Sequence, residues 1–189
     1  MKKGLIAFIV IIAAVLIIVL SAVGSYNGLV TKSEEVETAF SQISTQLQRR
    51  NDLIPNIVAT VQGYAAHEAE VFIAIAEARS ALAGAQSNAE MAAADDAMNS
   101  ALARLLVIIE NYPELKANTQ FTALTDELAG TENRIANARM EYNNVAKDYN
   151  TKIRRFPTNI MAALFNFDKA DYFEAAEGSE VAPTVSFPQ

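Results

Sequence analysis

Residues 5–24 read LIAFIVIIAAVLIIVLSAVG, an apolar run without one charged side chain, and no other stretch so restricts what the chain can become. At about 1.5 Å of rise per residue, a helix of this length crosses the roughly 30 Å hydrocarbon layer of a bilayer. The competing reading is a cleaved signal peptide, whose apolar core is typically about 7–15 residues and ends in a small-residue cleavage site. This run is longer, and only Ser21, Ala22 and Gly24 offer such a site. We therefore expect a retained membrane anchor, with Leu5, Phe8, Ile12, Leu16 and Leu20 as anchor residues. Lys2 and Lys3 precede the run, and the first cation after it is Lys32. That bias predicts a cytoplasmic N-terminus and an exported body.

Beyond the run, good helix formers dominate and alternating β-branched strands between turn clusters are missing. Apolar residues recur at steps of three and four. Val36, Phe40, Ile43 and Leu47 form one stripe; Ile54, Ile57, Val61, Tyr64, Val71 (or Phe72), Ile75 and Leu82 form a second, interrupted at His67–Glu68. Met98, Leu102, Leu105 and Ile109 form a third, and Phe121, Leu124, Leu128, Ile135, Ala138, Tyr142, Val145, Tyr149 and Ile153 the longest. Breaks fall between the stripes: Asn51–Asp52 before Pro55, set near a first turn or a kink, Gly84 to Asn88, and Tyr112–Pro113. Asn118 or Thr119 suits the cap of the last long helix, and Phe156–Pro157 ends it.

The expected fold is thus all-α: a transmembrane helix, then an antiparallel bundle of four long helices joined by short links. In residue terms, 1–25 are a cytoplasmic stub and anchor, and 26–157 the bundle. Residues 158–173 are a short helix and an aromatic segment (Phe165, Phe167, Tyr172, Phe173) folding back on it, and 174–189 a disordered acidic tail. The first body helix is free to continue straight out of the membrane, because only Gly24 and Gly28 separate the two.

Charge and composition remove several function classes. The net charge is −7, and more negative still without Lys2 and Lys3, so the body repels phosphate backbones and no nucleic-acid partner is expected. Without cysteine there is no disulfide, thiolate nucleophile or lipid-modified cysteine. His67 is the only histidine, which rules out both a di-iron bundle with two Glu-x-x-His pairs and a three-histidine zinc site. Ser80, Ser87 and Ser100 lack a G-x-S-x-G elbow, and Ala83–Gly84–Ala85 is too poor in glycine to cradle a phosphate. No catalytic residue, metal or cofactor is expected.

Several motifs resemble one family. Tyr26-Asn27-Gly28-Leu29-Val30 follows the apolar run, and LQRRNDLIPNIVATVQGYAAHE spans Leu47 to Glu68. Next come Glu110-Asn111-Tyr112-Pro113-Glu114-Leu115-Lys116-Ala117-Asn118, Thr131-Glu132-Asn133-Arg134-Ile135-Ala136, and Phe156-Pro157. In this order they are similar to the LemA family. One departure is Asn166, where the family is expected to prefer glycine; asparagine tolerates the same left-handed geometry. The resemblance implies a bacterial single-pass membrane protein with an up-and-down four-helix bundle, of a family in which some members are genetically associated with membrane proteases or other membrane-surface proteins. It implies no established molecular activity.

Charged residues within or beside the stripes are the remaining candidates: Arg50, Glu68, Arg79, Glu110, Glu132, Arg134 and Arg139. Ordinary i,i+3 or i,i+4 pairing on solvated faces is one reading, at a few tenths of a kcal/mol per pair. A buried polar network setting helix register is the other, favoured for Glu132, in a heptad gap between Leu128 and Ile135, and for Glu68 in a similar gap. The leading functional expectation is a non-enzymatic scaffold or adaptor, homo-oligomeric through heptad-like, coiled-coil faces. The alternatives are a small-molecule binder or enzyme using the charged network as a site, and a regulator of a membrane protease.

Overall fold

The computed structural model describes residues 2–65 and 67–173, and every regular element among them is a helix. In chain order these are α1 (Lys2–Gln62), α2 (Ala69–Gly84), α3 (Asn88–Ile109), α4 (Pro113–Lys116), α5 (Thr119–Arg154) and α6 (Thr158–Leu164). The tail read as disordered, residues 174–189, lies outside the described residues.

The apolar run and the first body helix are one element, with Gly24 and Gly28 inside it. Pro55 also lies within α1, so the break expected at Asn51–Asp52 does not occur. A mid-helix proline costs about 3 kcal/mol, because it leaves the carbonyl four residues earlier, here that of Asn51, without its donor. Ile54, Ile57 and Val61 flank it and are almost wholly buried. At about 1.5–3 kcal/mol for each such side chain, their burial outweighs the proline. Tertiary packing overrides the local signal.

Two compact units divide the chain. The first consists of residues 1–42 and 140–171. Its buried residues include Leu29, Ala39, Tyr142, Ala146, Tyr149 and Ala162. Phe40 meets Tyr142 edge-on, with ring centroids 6.2 Å apart. Lys152 Nζ donates to the Gly28 carbonyl at 2.7 Å; a Cβ at Gly28 would lie 2.5 Å from that ammonium, so glycine keeps the approach open. The Asn166 backbone (φ 55°) ends α6 in the left-handed region. The Phe167 amide then donates to the Ala162 carbonyl, and that of Phe165 to Met161. This is a Schellman ending with asparagine in the usual glycine position.

The chain next runs back along α5. Tyr149 Oη donates to the Asp168 carbonyl and Tyr142 Oη to that of Asp171, both at 2.8 Å. Asn150 exchanges two hydrogen bonds with the backbone of Ala170, at 2.8 and 2.9 Å. An amide side chain thus stands in for a neighbouring strand. Burial raises the Tyr149 phenol above its ordinary pKa, and Asp168 adds to the shift.

The second unit comprises residues 43–139 together with Tyr172 and Phe173. One apolar cluster joins its helices: Ile54, Ile57 and Val61 of α1, Val71 and Ile75 of α2, Met98, Leu102, Leu105 and Ile109 of α3, Leu115 of α4 and Phe121 of α5. Its helix ends carry matched caps. Ser87 Oγ accepts from the Glu90 amide, while Glu90 Oε2 accepts from Gln86, close to a capping box. Pro113 opens α4 at a first-turn position. Asn118 Oδ1 accepts from the amides of Gln120 and Phe121 at the start of α5.

Candidate functional site

Two features stand apart from ordinary helix packing, and the first is the apolar start of α1. From Leu5 to Leu20 its large side chains are all more than half exposed, Leu5, Phe8, Ile12, Leu16 and Leu20 among them. The helix is long and apolar enough to cross a membrane. Water would penalise this surface heavily at about 25 cal/mol per Å².

A charged network inside the second unit is the second feature. Heptad spacing runs Ile43, Leu47, Arg50, Ile54, Ile57, Val61, so Arg50 occupies a seam position of α1 and is only 1% exposed. Its Nη1 donates to Asp95 Oδ1 at 2.7 Å and to Glu132 Oε2 at 2.8 Å. Its Nη2 donates to Asn99 Oδ1 at 2.6 Å. Arg139 Nη2 takes the other Asp95 oxygen at 2.8 Å, and its guanidinium lies over the Phe173 ring, 5.4 Å from the centroid. Asp95 is 0% exposed with each oxygen holding a different arginine. Burial pushes its carboxyl above the ordinary carboxylate range; Arg50 and Arg139 pull it back, while Glu132 and Asp96 push it further up. The Nε groups of Arg50 and Arg139 are buried without a hydrogen-bond partner among the described residues.

Of the seven residues singled out by sequence, Arg50, Glu132 and Arg139 meet here. The other four lie elsewhere. Arg79 Nε donates to Asn51 Oδ1 at 3.1 Å. Glu110 pairs with Lys116 at 2.6 Å on an exposed surface. Arg134 shares Glu127 with Arg49, at 2.8 and 2.6 Å. Glu68 stands before α2, at its cap position, without a side-chain cap bond. Glu132 does not fill the gap between Leu128 and Ile135. Thr131 does, fully buried, with its hydroxyl on the Glu127 carbonyl at 2.8 Å. Glu132 stays 48% exposed and reaches Arg50 from the side.

Asp95 and Asn99 were missed. Asp95 sits in the alanine-rich stretch Met91-Ala92-Ala93-Ala94-Asp95-Asp96, which reads as a solvated helix surface. The signal was nevertheless available: three residues back from Met98 along the third stripe falls on Asp95.

Chemically the network is closed. Asp95 is 0% exposed and held by an arginine at each oxygen, whereas a general base must come within about 3.2 Å of the proton it takes. Among the described residues, grooves lie elsewhere. One, about 650 Å³, is lined in the first unit by Val30, Ala39 and Val145 with Glu34, Glu35 and Glu141. Another, about 350 Å³, runs between alanines of α2 and α3 beside Glu77 and Arg104. A third, about 420 Å³, lies where α1 meets α6. None of the three is lined by Arg50, Asp95, Glu132 or Arg139.

Comparison with known proteins matches residues 39–187 to the model of the LemA family. Magnetosome protein MamQ 2 of Paramagnetospirillum magneticum is 27% identical over 175 residues, covering 79% of this chain and 64% of that protein. Magnetosome protein MamQ of Magnetospirillum gryphiswaldense is 26% identical over 174 residues, with 78% and 64% covered. Protein LemA of Metamycoplasma hominis is 28% identical over 159 residues, with 82% and 71% covered. The chain thus spans just under two thirds of the length of the magnetosome relatives.

Proposed function

This chain belongs to the LemA family, and from that premise we propose that it is a non-enzymatic, single-pass membrane protein acting as a scaffold or adaptor through helix–helix association. The observation that carries this reading is the continuity of α1. A charge-free, exposed apolar run passes without a break into a helix whose later residues build the core of the second unit. In this reading the helices of that unit pack as an antiparallel up-and-down bundle. The network of Arg50, Asp95, Glu132 and Arg139 fixes the register of α1, α3 and α5, since each charge finds partners only when the three helices align. None of the relatives' names states a reaction, and two of them assign their proteins to a magnetosome.

Association is supported by apolar side chains left outward on the second unit. Leu106 and Val107 of α3 and Ile73 of α2 are each at least half exposed. Monomeric proteins tolerate single exposed apolar residues, but Leu106–Val107 are adjacent on a helix whose core stripe is already satisfied. The expected result in mild detergent is one uniform homo-oligomer for the full chain, with the body from Tyr26 onward showing how much the anchor contributes. A monomer in both preparations would overturn the homo-oligomeric scaffold.

In this reading the N-terminus stays in the cytoplasm and the body is exported across the inner membrane, which the lysine bias supports. Because the chain has no cysteine, a single Thr122→Cys variant reports on this without background. Intact cells should allow a membrane-impermeant maleimide to label it. Labelling only after lysis would reverse the orientation.

A further inference from the structure

The described residues leave a second apolar surface exposed, remote in sequence from the anchor but beside it in the first unit. Phe156 is 81% exposed, Leu164 67%, Ile160 56% and Phe165 49%, all within or flanking α6. The groove of about 420 Å³ joins this segment to α1: Phe156, Pro157 and Ile160 on one side face Ile17, Ser21 and Ser25 on the other. Ile17 precedes Gly24 by seven residues, about 10 Å of helix rise. Phe156 and Ile160 therefore stand level with the last 10 Å or so of the apolar run.

From this level we infer that α6 is a membrane foot. Phe156, Ile160, Leu164 and Phe165 sink into the acyl–headgroup boundary of the bilayer that α1 crosses, on the side where the body emerges. The inference rests on α1 being a span. Its depth matches interfacial helices, which bury their apolar face about 5–10 Å into that boundary.

Three further observations fit lipid as the occupant. Tyr26, two residues beyond the run, holds Phe165 and Phe167 with ring centroids at 4.7 and 5.9 Å, a cluster suited to the aromatic belt. Arg154 and Arg155 are exposed immediately before the foot, placed for lipid phosphates. The backbone also suits a water-poor setting. Pro157 has no amide to satisfy, and the Ile160, Phe165 and Phe167 amides find carbonyls within the segment. A second protein helix fits less well. Apolarity alone gives no drive for helix pairing in lipid, and pairing faces favour small residues over Phe, Ile and Leu.

The chain has no tryptophan, so single-tryptophan variants of the full chain report local depth. Phe156→Trp and Ile12→Trp would be reconstituted separately in phosphatidylethanolamine–phosphatidylglycerol vesicles. The expected result for Phe156→Trp is blue-shifted emission, lost most strongly to phospholipids brominated near the ester end of the acyl chain. Ile12→Trp should be quenched best by deeply brominated lipid. Red emission quenched by aqueous iodide at Phe156→Trp, with Ile12→Trp still deep, would overturn the foot and spare the anchor. Blue emission untouched by any brominated lipid would also overturn it and assign the surface to a second copy of the chain. Failure of Ile12→Trp to sense lipid would remove the anchor and the foot together.

Discussion

Replacing Arg50 with alanine is expected to destabilise the protein by about 3–5 kcal/mol, the range for breaking a buried ion pair by removing one partner. For a chain of 189 residues, that is a fall in Tm of roughly 6–20 °C, read by circular dichroism of the full chain in detergent. The substitution strips Asp95, 0% exposed in the parent, of one of its two arginines, and removes the Arg50 contact of Asn99 and Glu132. Burial already raises the Asp95 pKa against the pull of Arg50. Without Arg50 it rises further, so the folded variant holds a proton to higher pH than the folded parent. Stability gained by that extra protonation is present at low pH and lost as pH rises through the variant's raised pKa. The deficit should therefore be widest at neutral pH and shrink on acidification. Arg134→Ala is the control: its partner Glu127 is partly exposed, and the expected loss stays within about 1 kcal/mol. Equal, small losses at Arg50 and Arg134 would sink the buried-network reading.

The contrast between those two arginines shows where sequence reasoning reached and where it stopped. Both stand out as charges beside apolar stripes, and composition alone ranks them equally. Only the phase of the heptad separates them, because Arg50 continues the seam from Leu47 to Ile54. That phase was obscured by Pro55, whose local preference for a break gave way to the burial of Ile54, Ile57 and Val61. Its partner Asp95 was hidden for another reason: a carboxylate among alanines reads as solvated until a cation from α1 is known to face it. Glu110 shows the converse: it follows the third stripe directly, yet it is exposed and paired only with Lys116 among the described residues. Helical content and the apolar run were legible because period and length are properties of the chain itself. Which charges meet depends on how three helices align, a property of the fold.

The anchor is expected to fail by dose rather than at a single residue. Fourteen of the twenty residues from Leu5 to Gly24 are Leu, Ile, Val or Phe. At about −0.3 to −0.6 kcal/mol each, they favour insertion by roughly 4–8 kcal/mol. An arginine near the helix centre opposes this by about 3 kcal/mol. Ile12→Arg alone should therefore leave insertion favourable, and the protein should remain in an alkali-washed membrane pellet. Combining Ile9→Arg, Ile12→Arg and Leu16→Arg reverses the balance, and the triple variant should leave the pellet. The foot on α6 is not expected to rescue it. Four apolar side chains lying in the interface, with two arginines beside them, resemble a single lipid anchor, which binds only marginally and reversibly. Retention of the triple variant after the alkaline wash would mean that something other than the start of α1 holds this protein to its membrane. Loss of the single variant would mean that the helix inserts with far less margin than its composition gives.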